Sequence, residues 1–173
     1  PGNGAASDQI TENLYDDDSR LTTRRIAADP QTSPNPLNWH ETNYLYDERG
    51  RMIELQRPDG DSWFFEYDRN SNPLGWRDPQ GTRVTDTFDN RNLIKNRHIE
   101  RGSGIVGTND ESYEFDALGR IVTGINMDGE KLISSTSFEY NTLSQAEVQE
   151  QTIADYSGAI VGTFTTQAEF DAS

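Results

Sequence analysis

The sequence of 173 residues contains no cysteine. Disulfides, zinc–thiolate sites and thiol nucleophiles are therefore excluded. It contains only two histidines, His40 and His98, and the spacing around them suggests no partners for a catalytic triad or a metal site. We interpret both as ordinary strand positions. No apolar run approaches the roughly 18 residues that a membrane-spanning helix needs, so none is predicted.

Basic residues are also scarce, with 15 Lys and Arg against 30 Asp and Glu, which gives a formal net charge of −15. This balance argues against binding to nucleic acid or to an anionic membrane surface, both of which attract clustered positive charge. Apolar residues make up 32% of the chain and aromatic residues 10%. Such a composition predicts a thin core in which a few large rings supply much of the buried area, as in layered β structure.

The chain shows no signal peptide and begins at Pro1 rather than at Met. We expect a piece of a larger exported protein, secreted or at the cell surface, with its targeting signals elsewhere. Residues 1–12 are small and polar and predict a flexible lead-in. Residues 13–173 form the repeated region, with a proline-rich loop at about 29–37 and a long hairpin loop at about 101–110.

An aromatic residue followed by an acidic or amide residue recurs along this region. The pairs are Tyr15-Asp16, Tyr46-Asp47, Tyr67-Asp68, Phe88-Asp89, Phe115-Asp116, Tyr140-Asn141 and Phe170-Asp171. After the pair, Gly50-Arg51 and Gly119-Arg120 occupy equivalent places, and Ser19 stands where Gly50 would be. A second turn signal in the middle of the repeat contains Gly60, Gly81, Gly129 or Gly158. This regularity predicts consecutive β-hairpins with a turn at each end.

The repeat from Tyr46 to Asp68 is the best preserved, with strands expected over 51–57 and 62–67. In a strand, residues i and i+2 face the same way, so we expect the aromatic residues of successive hairpins to become cross-strand neighbours. Each Asp is expected to accept backbone N–H groups of the turn that follows it. Arg51 and Arg120 are expected to pair with such an Asp on an adjacent repeat.

Tyr46-Asp47-x-x-Gly50-Arg51, closing on Gly60 and Tyr67-Asp68, resembles the YD repeat, and Phe115-Asp116 to Gly119-Arg120 is a second close match. YD repeats occur in bacterial Rhs proteins, in the C component of insecticidal toxin complexes and in teneurins. The resemblance implies an all-β fold, an antiparallel sheet of successive hairpins that forms an arc of a cocoon-like shell. The terminal motif and the aspartyl self-cleavage site of Rhs cores are not found here, so autoproteolysis is not carried over.

The remaining motifs give no catalytic residue, cofactor or metal site. Asp16-Asp17-Asp18 lacks the spacing of a calcium loop, and Gly102 to Gly107 lacks the Lys-Ser/Thr ending of a phosphate loop. Trp39, Trp63 and Trp76 are candidate ligand contacts, because flat aromatic rings stack on sugars. Packing within the sheet explains them equally well.

The sequence therefore predicts a non-enzymatic structural module that encapsulates or presents a partner polypeptide such as a toxin. The alternative is a cell-surface adhesin segment that binds carbohydrate or protein. Expected partners are the remaining repeats of the shell or its cargo, and possible glycans, but not nucleic acid or a membrane. Unpaired sheet edges predict self-association of the isolated piece.

Overall fold

The computed structural model of the protein describes residues 10–27 and 39–168, and these form β-strands joined by turns and loops. The strands are β1 (Thr11–Tyr15), β2 (Leu21–Ala27), β3 (Trp39–Tyr46), β4 (Met52–Gln56), β5 (Ser62–Tyr67), β6 (Pro73–Arg77), β7 (Arg83–Phe88), β8 (Ile94–Glu100), β9 (Asp110–Phe115), β10 (Ile121–Asp128), β11 (Lys131–Tyr140), β12 (Ala146–Ala154) and β13 (Ile160–Gln167). The predicted all-β, antiparallel fold class is confirmed. No helix capable of crossing a membrane occurs in this part of the chain.

Several sequence-based boundaries fall at or beyond the limits of the described residues. The first strand begins at Thr11, inside the predicted lead-in 1–12. The loop predicted at 29–37 and the last marker pair, Phe170-Asp171, lie outside the described residues. The long connection between β8 and β9 covers residues 101–109.

The chain divides into two compact units. The N-terminal unit comprises Pro1–Glu66 with Arg77–Pro79, and the C-terminal unit comprises Tyr67–Trp76 with Gln80–Ser173. Within each unit the strands follow one another in chain order, each antiparallel to the next. The turns after odd-numbered strands therefore share one edge of each unit, which we call the turn edge. The connections after even-numbered strands lie at the opposite edge, the loop edge.

Few side chains are fully buried. Among the described residues, Val84 is the only buried apolar one, and Thr82 and Asp86 are the buried polar ones. Val84 and Asp86 point the same way from β7, whose exposed and buried residues alternate, and Thr82 directly precedes that strand. Gly75 packs close to β7, since a Cβ there would lie 2.1 Å from the Val84 carbonyl oxygen. The predicted thin core is thus a small buried patch in the C-terminal unit.

Candidate functional site

The turn that follows Tyr46 shows how the repeated residues act together. The Asp47 N–H donates to the Arg51 carbonyl and the Gly50 N–H donates to the Asp47 carbonyl, each at 2.9 Å. Gly50 has φ 76°, a left-handed conformation that favours glycine. The result is a three-residue hairpin loop. Beyond the turn, a β-bulge at Ile53 shifts the register between Leu45 and Tyr46.

The Asp47 carboxylate holds this turn from inside, as predicted from the sequence. Its Oδ1 accepts the backbone N–H groups of Arg49 and Arg51, each at 2.9 Å. These bonds, the Arg51 amide first, hold the pKa of Asp47 below its ordinary value. The Arg51 guanidinium donates to Oδ2 at 2.7 Å through Nε. Arg51 thus pairs with the Asp of its own turn, and its pairing with an Asp of an adjacent repeat stays a prediction.

The same turn recurs at the other markers. The backbone N–H groups of the third and fifth residues of each turn donate to the side chain of its first residue. That first residue is Asp16, Asp68, Asp89, Asp116 or Asn141. The pKa values of Asp16, Asp89 and Asp116 are held low, chiefly by the backbone N–H of the fifth residue. Where the fourth residue is not glycine, a serine or asparagine takes the positive φ, at Ser19, Ser71, Asn92 and Ser144.

One turn of the loop edge repeats this chemistry without an aromatic residue before it. Asp155 Oδ1 accepts the backbone N–H groups of Ser157 and Ala159, and Gly158 has φ 87°. The Ser157 hydroxyl also donates to Asp155, and this bond is the main reason that the pKa of Asp155 is lowered. The sequence signal there, Ser157-Gly158, located the turn but not its carboxylate.

Arginine and tyrosine join one repeat to the next. In the N-terminal unit, the Arg20 guanidinium lies 5.4 Å from the centre of the Tyr46 ring, whose hydroxyl donates to the Leu21 carbonyl at 2.9 Å. In the C-terminal unit, Arg120 lies 4.4 Å from the Tyr140 ring, and Tyr140 donates to the Ile121 carbonyl at 2.7 Å. We call this arrangement the Arg–Tyr contact. It explains why a hydroxyl is useful at these two marker positions.

Further bonds tie neighbouring turns of the C-terminal unit together. Arg91 Nη1 donates to the Asp116 carbonyl at 2.6 Å. Arg120 Nη1 donates to the Asn141 carbonyl at 3.4 Å and to the Ser144 hydroxyl at 3.2 Å. Arg120 does reach the adjacent repeat, but its acidic partner is Asp116 of its own turn, at 2.6 Å. For Arg120, the predicted pairing with an Asp of an adjacent repeat is therefore wrong.

The marker aromatics do not become cross-strand neighbours as predicted. In their own hairpins Tyr46 lies opposite Met52, Phe88 opposite Ile94, and Phe115 opposite Ile121. The markers stand on alternate strands, so a strand without a marker always separates them. The i, i+2 relation does hold in β11, where the Phe138 and Tyr140 rings stack with centres 6.1 Å apart.

Each unit also carries a row of alternating charge that no sequence motif indicated. In the N-terminal unit Glu12, Arg25 and Glu41 face one another across β1, β2 and β3, with Arg25 Nε 2.6 Å from Glu12 and its Nη1 3.8 Å from Glu41. We call these residues the outer triplet. The partners come from three strands, so only the register could have revealed them.

The corresponding inner triplet crosses β7, β8 and β9 in the C-terminal unit. Arg97 donates to both carboxylate oxygens of the buried Asp86 at 2.8 Å and lies 3.8 Å from Glu111. The hydrogen bond to Asp86 is the main cause that raises the pKa of Arg97. Tyr113 donates to Glu111 at 2.7 Å, and burial raises the pKa of its hydroxyl to about 12. The inner triplet is therefore a linked network around one buried carboxylate, that of Asp86.

His98 has a polar partner that the sequence did not indicate. Its Nδ1 lies 2.6 Å from Asp110 Oδ1, and Thr85 is its cross-strand neighbour on the other side. The three line an open groove of about 260 Å³ with Ser112 and Met127, among others. His98 is half-exposed, and the long connection 101–109 sets its register with Asp110. Within the described residues, no group of His, Asp and Glu side chains could hold a metal ion.

The structure separates the three tryptophans that the sequence singled out. Trp39 and Asn43 project from the same face of β3. Across the ladder, Asn43 is opposite Gln56, and Gln56 is opposite Ser62, so these side chains share that face. Trp63 follows Ser62 and therefore lies on the other face, where Arg57 stacks on its ring at 4.2 Å. Trp76 belongs to the C-terminal unit and is partly exposed. Trp39 and Trp63 thus form no common platform, and ligand binding by any of the three stays a prediction.

The repeated hairpin, its capped turn and the Arg–Tyr contact define a β-repeat protein. No family model matches the sequence, and no curated protein matches it. The fold does match solved structures of toxin complexes. The TcdB2-TccC3-Cdc42 structure aligns with a TM-score of 0.71 over 93% of this chain, at 9% identity. The Tc holotoxin pore of Photorhabdus luminescens aligns with a TM-score of 0.68 over 92% of this chain, at 9% identity.

A further structure, TcdB2-TccC3, aligns with a TM-score of 0.68 over 93% of this chain, at 10% identity. The chain spans only 9%, 8% and 9% of the lengths of these three structures. The resemblance to YD-repeat proteins, which include toxin complexes, is thereby confirmed at the level of the fold.

Proposed function

We propose that this chain is a non-enzymatic structural module, a segment of a YD-repeat wall that encloses or presents a partner polypeptide. The observation that carries the proposal is the use of the signature residues. Asp116 shapes a turn, while Arg120 and Tyr140 fasten that turn to the next repeat. The residues that recur most regularly in the repeats thus join the hairpins into a sheet.

The comparisons support the same role. The fold is shared with chains of toxin complexes, and this chain spans less than a tenth of each. A segment of that size contributes part of a larger surface. The partners proposed for this chain are further repeats of the same wall and an enclosed or presented polypeptide. The whole protein is proposed to be exported, and either secreted or displayed on the cell surface.

The proposal can be tested on the complete natural gene product that contains this chain. Electron cryomicroscopy is expected to place residues 39–168 in the wall of a hollow shell. A second polypeptide segment inside should resist trypsin at protease concentrations that digest it when free. A density map in which these residues form a separate domain with no enclosed polypeptide would overturn the proposal.

A matched pair of variants makes the test sharper. Asp86→Ala removes the buried carboxylate of the inner triplet and is expected to open the wall and abolish protection. Glu12→Ala removes an exposed carboxylate of the outer triplet and should leave protection unchanged. Equal protection in both variants would show that the wall does not confer it.

A further inference from the structure

The open groove of about 260 Å³ on the C-terminal unit lies over the strands β7 to β10. Its lining includes four residues that are opposite one another, strand by strand, in the ladders: Thr85, His98, Asp110 and Met127. Residues directly opposite each other in a sheet point to the same face, so these four side chains project to one side. The strand register thus fixes which side chains meet in the groove.

The imidazole ring of His98 is oriented so that one of its nitrogens stays available. Its Nδ1 lies 2.6 Å from Asp110 Oδ1, so the neutral ring carries its proton on Nδ1 and donates it to that carboxylate. The other nitrogen, Nε2, then holds a lone pair and has no hydrogen-bond partner within the described part of the chain. Metal-bound histidines are commonly held in this way, with a carboxylate on the nitrogen that does not bind the metal. Nε2 of His98 is therefore a candidate ligand atom.

Met127 brings a second ligand atom to the same groove. It is opposite Asp110 on the side away from His98, so the backbones of Met127 and His98 are two strand spacings, or roughly 10 Å, apart. A methionine side chain is long and unbranched, with three rotatable bonds, and it can lean over β9 toward the imidazole ring. The groove therefore presents one imidazole nitrogen and one thioether sulfur, with a carboxylate between them.

These two ligand atoms discriminate among metal ions. Thioether sulfur is a soft ligand that favours Cu(I), and imidazole also binds copper. Zinc and calcium need larger sets of nitrogen, sulfur or oxygen ligands, and no group of three His, Asp or Glu side chains in the described ranges could supply one. The carboxylate of Asp110 beside the ligand atoms and the net charge of −15 favour a cation over an anion. The chemistry of the groove thus suits a soft, monovalent cation.

We propose that the groove binds Cu(I) between His98 Nε2 and the sulfur of Met127, with Asp110 as the residue that positions the imidazole. Cu(I) accepts as few as two ligands, so these two side chains are sufficient. The ion binds and leaves as Cu(I), and no electron transfer is part of the proposal. The site lies away from the turn edge and does not depend on the proposed function as a wall.

The other histidine and the other methionine of the chain provide an internal control. His40 is opposite Ile26, and Met52 is opposite Tyr46. His40 and Tyr46 are six positions apart along β3, or roughly 20 Å. His40 and Met52 therefore cannot share one ion, although they have the same ligand atoms.

The test is an NMR titration of the whole chain, labelled with ¹³C at its methionine methyl groups, with silver nitrate in a chloride-free buffer. Ag(I) replaces Cu(I) as a soft monovalent ion that is stable in air, and the titration is repeated with tetrakis(acetonitrile)copper(I) under anaerobic conditions. With both ions the Met127 methyl signal is expected to shift in a saturable way, with one ion per chain. The Met52 methyl signal should stay fixed.

Variants assign the ligand atoms. His98→Ala should abolish the saturable shift of Met127, and Met127→Leu, a change of similar volume, should abolish the shift of the His98 ring protons. His40→Ala and Met52→Leu should leave the affinity unchanged. Asp110→Ala should weaken binding about 10- to 100-fold, as expected for loss of the group that orients a metal ligand. Asp110→Asn, whose side-chain oxygen still accepts the Nδ1 proton, should bind more tightly than Asp110→Ala.

Three results would overturn the inference. The first is that neither Ag(I) nor Cu(I) shifts the Met127 signal in a saturable way. The second is that His98→Ala binds as tightly as the natural sequence while its amide spectrum shows an intact fold. The third is that zinc sulfate saturates the groove and the two soft ions do not. A groove that binds no ion would leave the wall proposal intact, because that proposal rests on the turn edge.

Discussion

The outer and inner triplets have the same chemical order, acid–arginine–acid, but different surroundings. The Glu12 side chain of the outer triplet is 47% exposed, whereas the Asp86 side chain of the inner triplet is 4% exposed. The outer triplet is therefore largely hydrated and adds little to stability, while a lone charge in the inner one would be costly. The same charge pattern thus lies in water in the N-terminal unit and includes a buried carboxylate in the C-terminal unit.

The largest expected effect comes from the close packing beside the inner triplet. Gly75→Ala would place a methyl group 2.1 Å from the Val84 carbonyl oxygen, and backbone cannot yield as a side chain can. We expect a loss of about 3 kcal/mol or more in the free energy of unfolding, measured by urea denaturation followed by circular dichroism. The control is Gly124→Ala, whose new methyl group would meet only the Tyr113 ring at 3.7 Å. Similar losses of unfolding free energy in Gly75→Ala and Gly124→Ala would contradict the close packing of Gly75 against β7.

A comparable loss is expected when the inner triplet itself is broken. Asp86→Ala leaves Arg97 without its bidentate partner, and we expect a cost of about 3 kcal/mol, the lower end for buried pairs, because Arg97 stays partly exposed. Glu12→Ala in the outer triplet should cost about 1 kcal/mol or less. If the two substitutions cost the same in urea denaturation, the difference in burial does not matter energetically.

A smaller effect tests the Arg–Tyr contact. Tyr46→Phe keeps the ring under Arg20 but removes the hydrogen bond to the Leu21 carbonyl. The unfolding free energy should fall by about 0.5–1.5 kcal/mol. Tyr140→Phe should do the same in the C-terminal unit, while Tyr156→Phe, at an exposed turn position, serves as the control. If neither Tyr46→Phe nor Tyr140→Phe changes the unfolding free energy, the Arg–Tyr contact contributes through ring packing alone.

The smallest effect concerns acid. The folded pKa of Asp47 lies below its unfolded value of 3.8, so its contribution to stability is present above that pH. It is lost as the pH falls through the folded pKa, because the unfolded chain then binds the proton more readily. Carboxyl NMR titration should show the low pKa, and Asp47→Asn should lose less stability on acidification than the natural sequence. A folded Asp47 that titrates at or above 3.8 would refute the capped turn.

The turns and the order of strands could be predicted from the sequence because both are local. Asp47 and Gly50 fix one turn within five residues, and repetition of that signal implies neighbouring hairpins. The triplets and the His98–Asp110 pair could not be predicted, since each depends on register across several strands. A bulge shifts that register by one residue beside the markers Tyr15, Tyr46, Phe88, Phe115 and Tyr140. The connection 101–109 sets the register between β8 and β9.

The placement of fastening contacts at the turn edge bears on how such a chain can evolve. Arg91 already joins its turn to the Asp116 turn, although the connection 101–109 lies between them in sequence. Among the described residues, connections at the loop edge vary from two residues, 129–130, to nine, 101–109, while the capped turns keep one length. A connection at the loop edge can therefore change in length without disturbing the capped turns at the opposite edge. New surface can be added at the loop edge without altering how the repeats join.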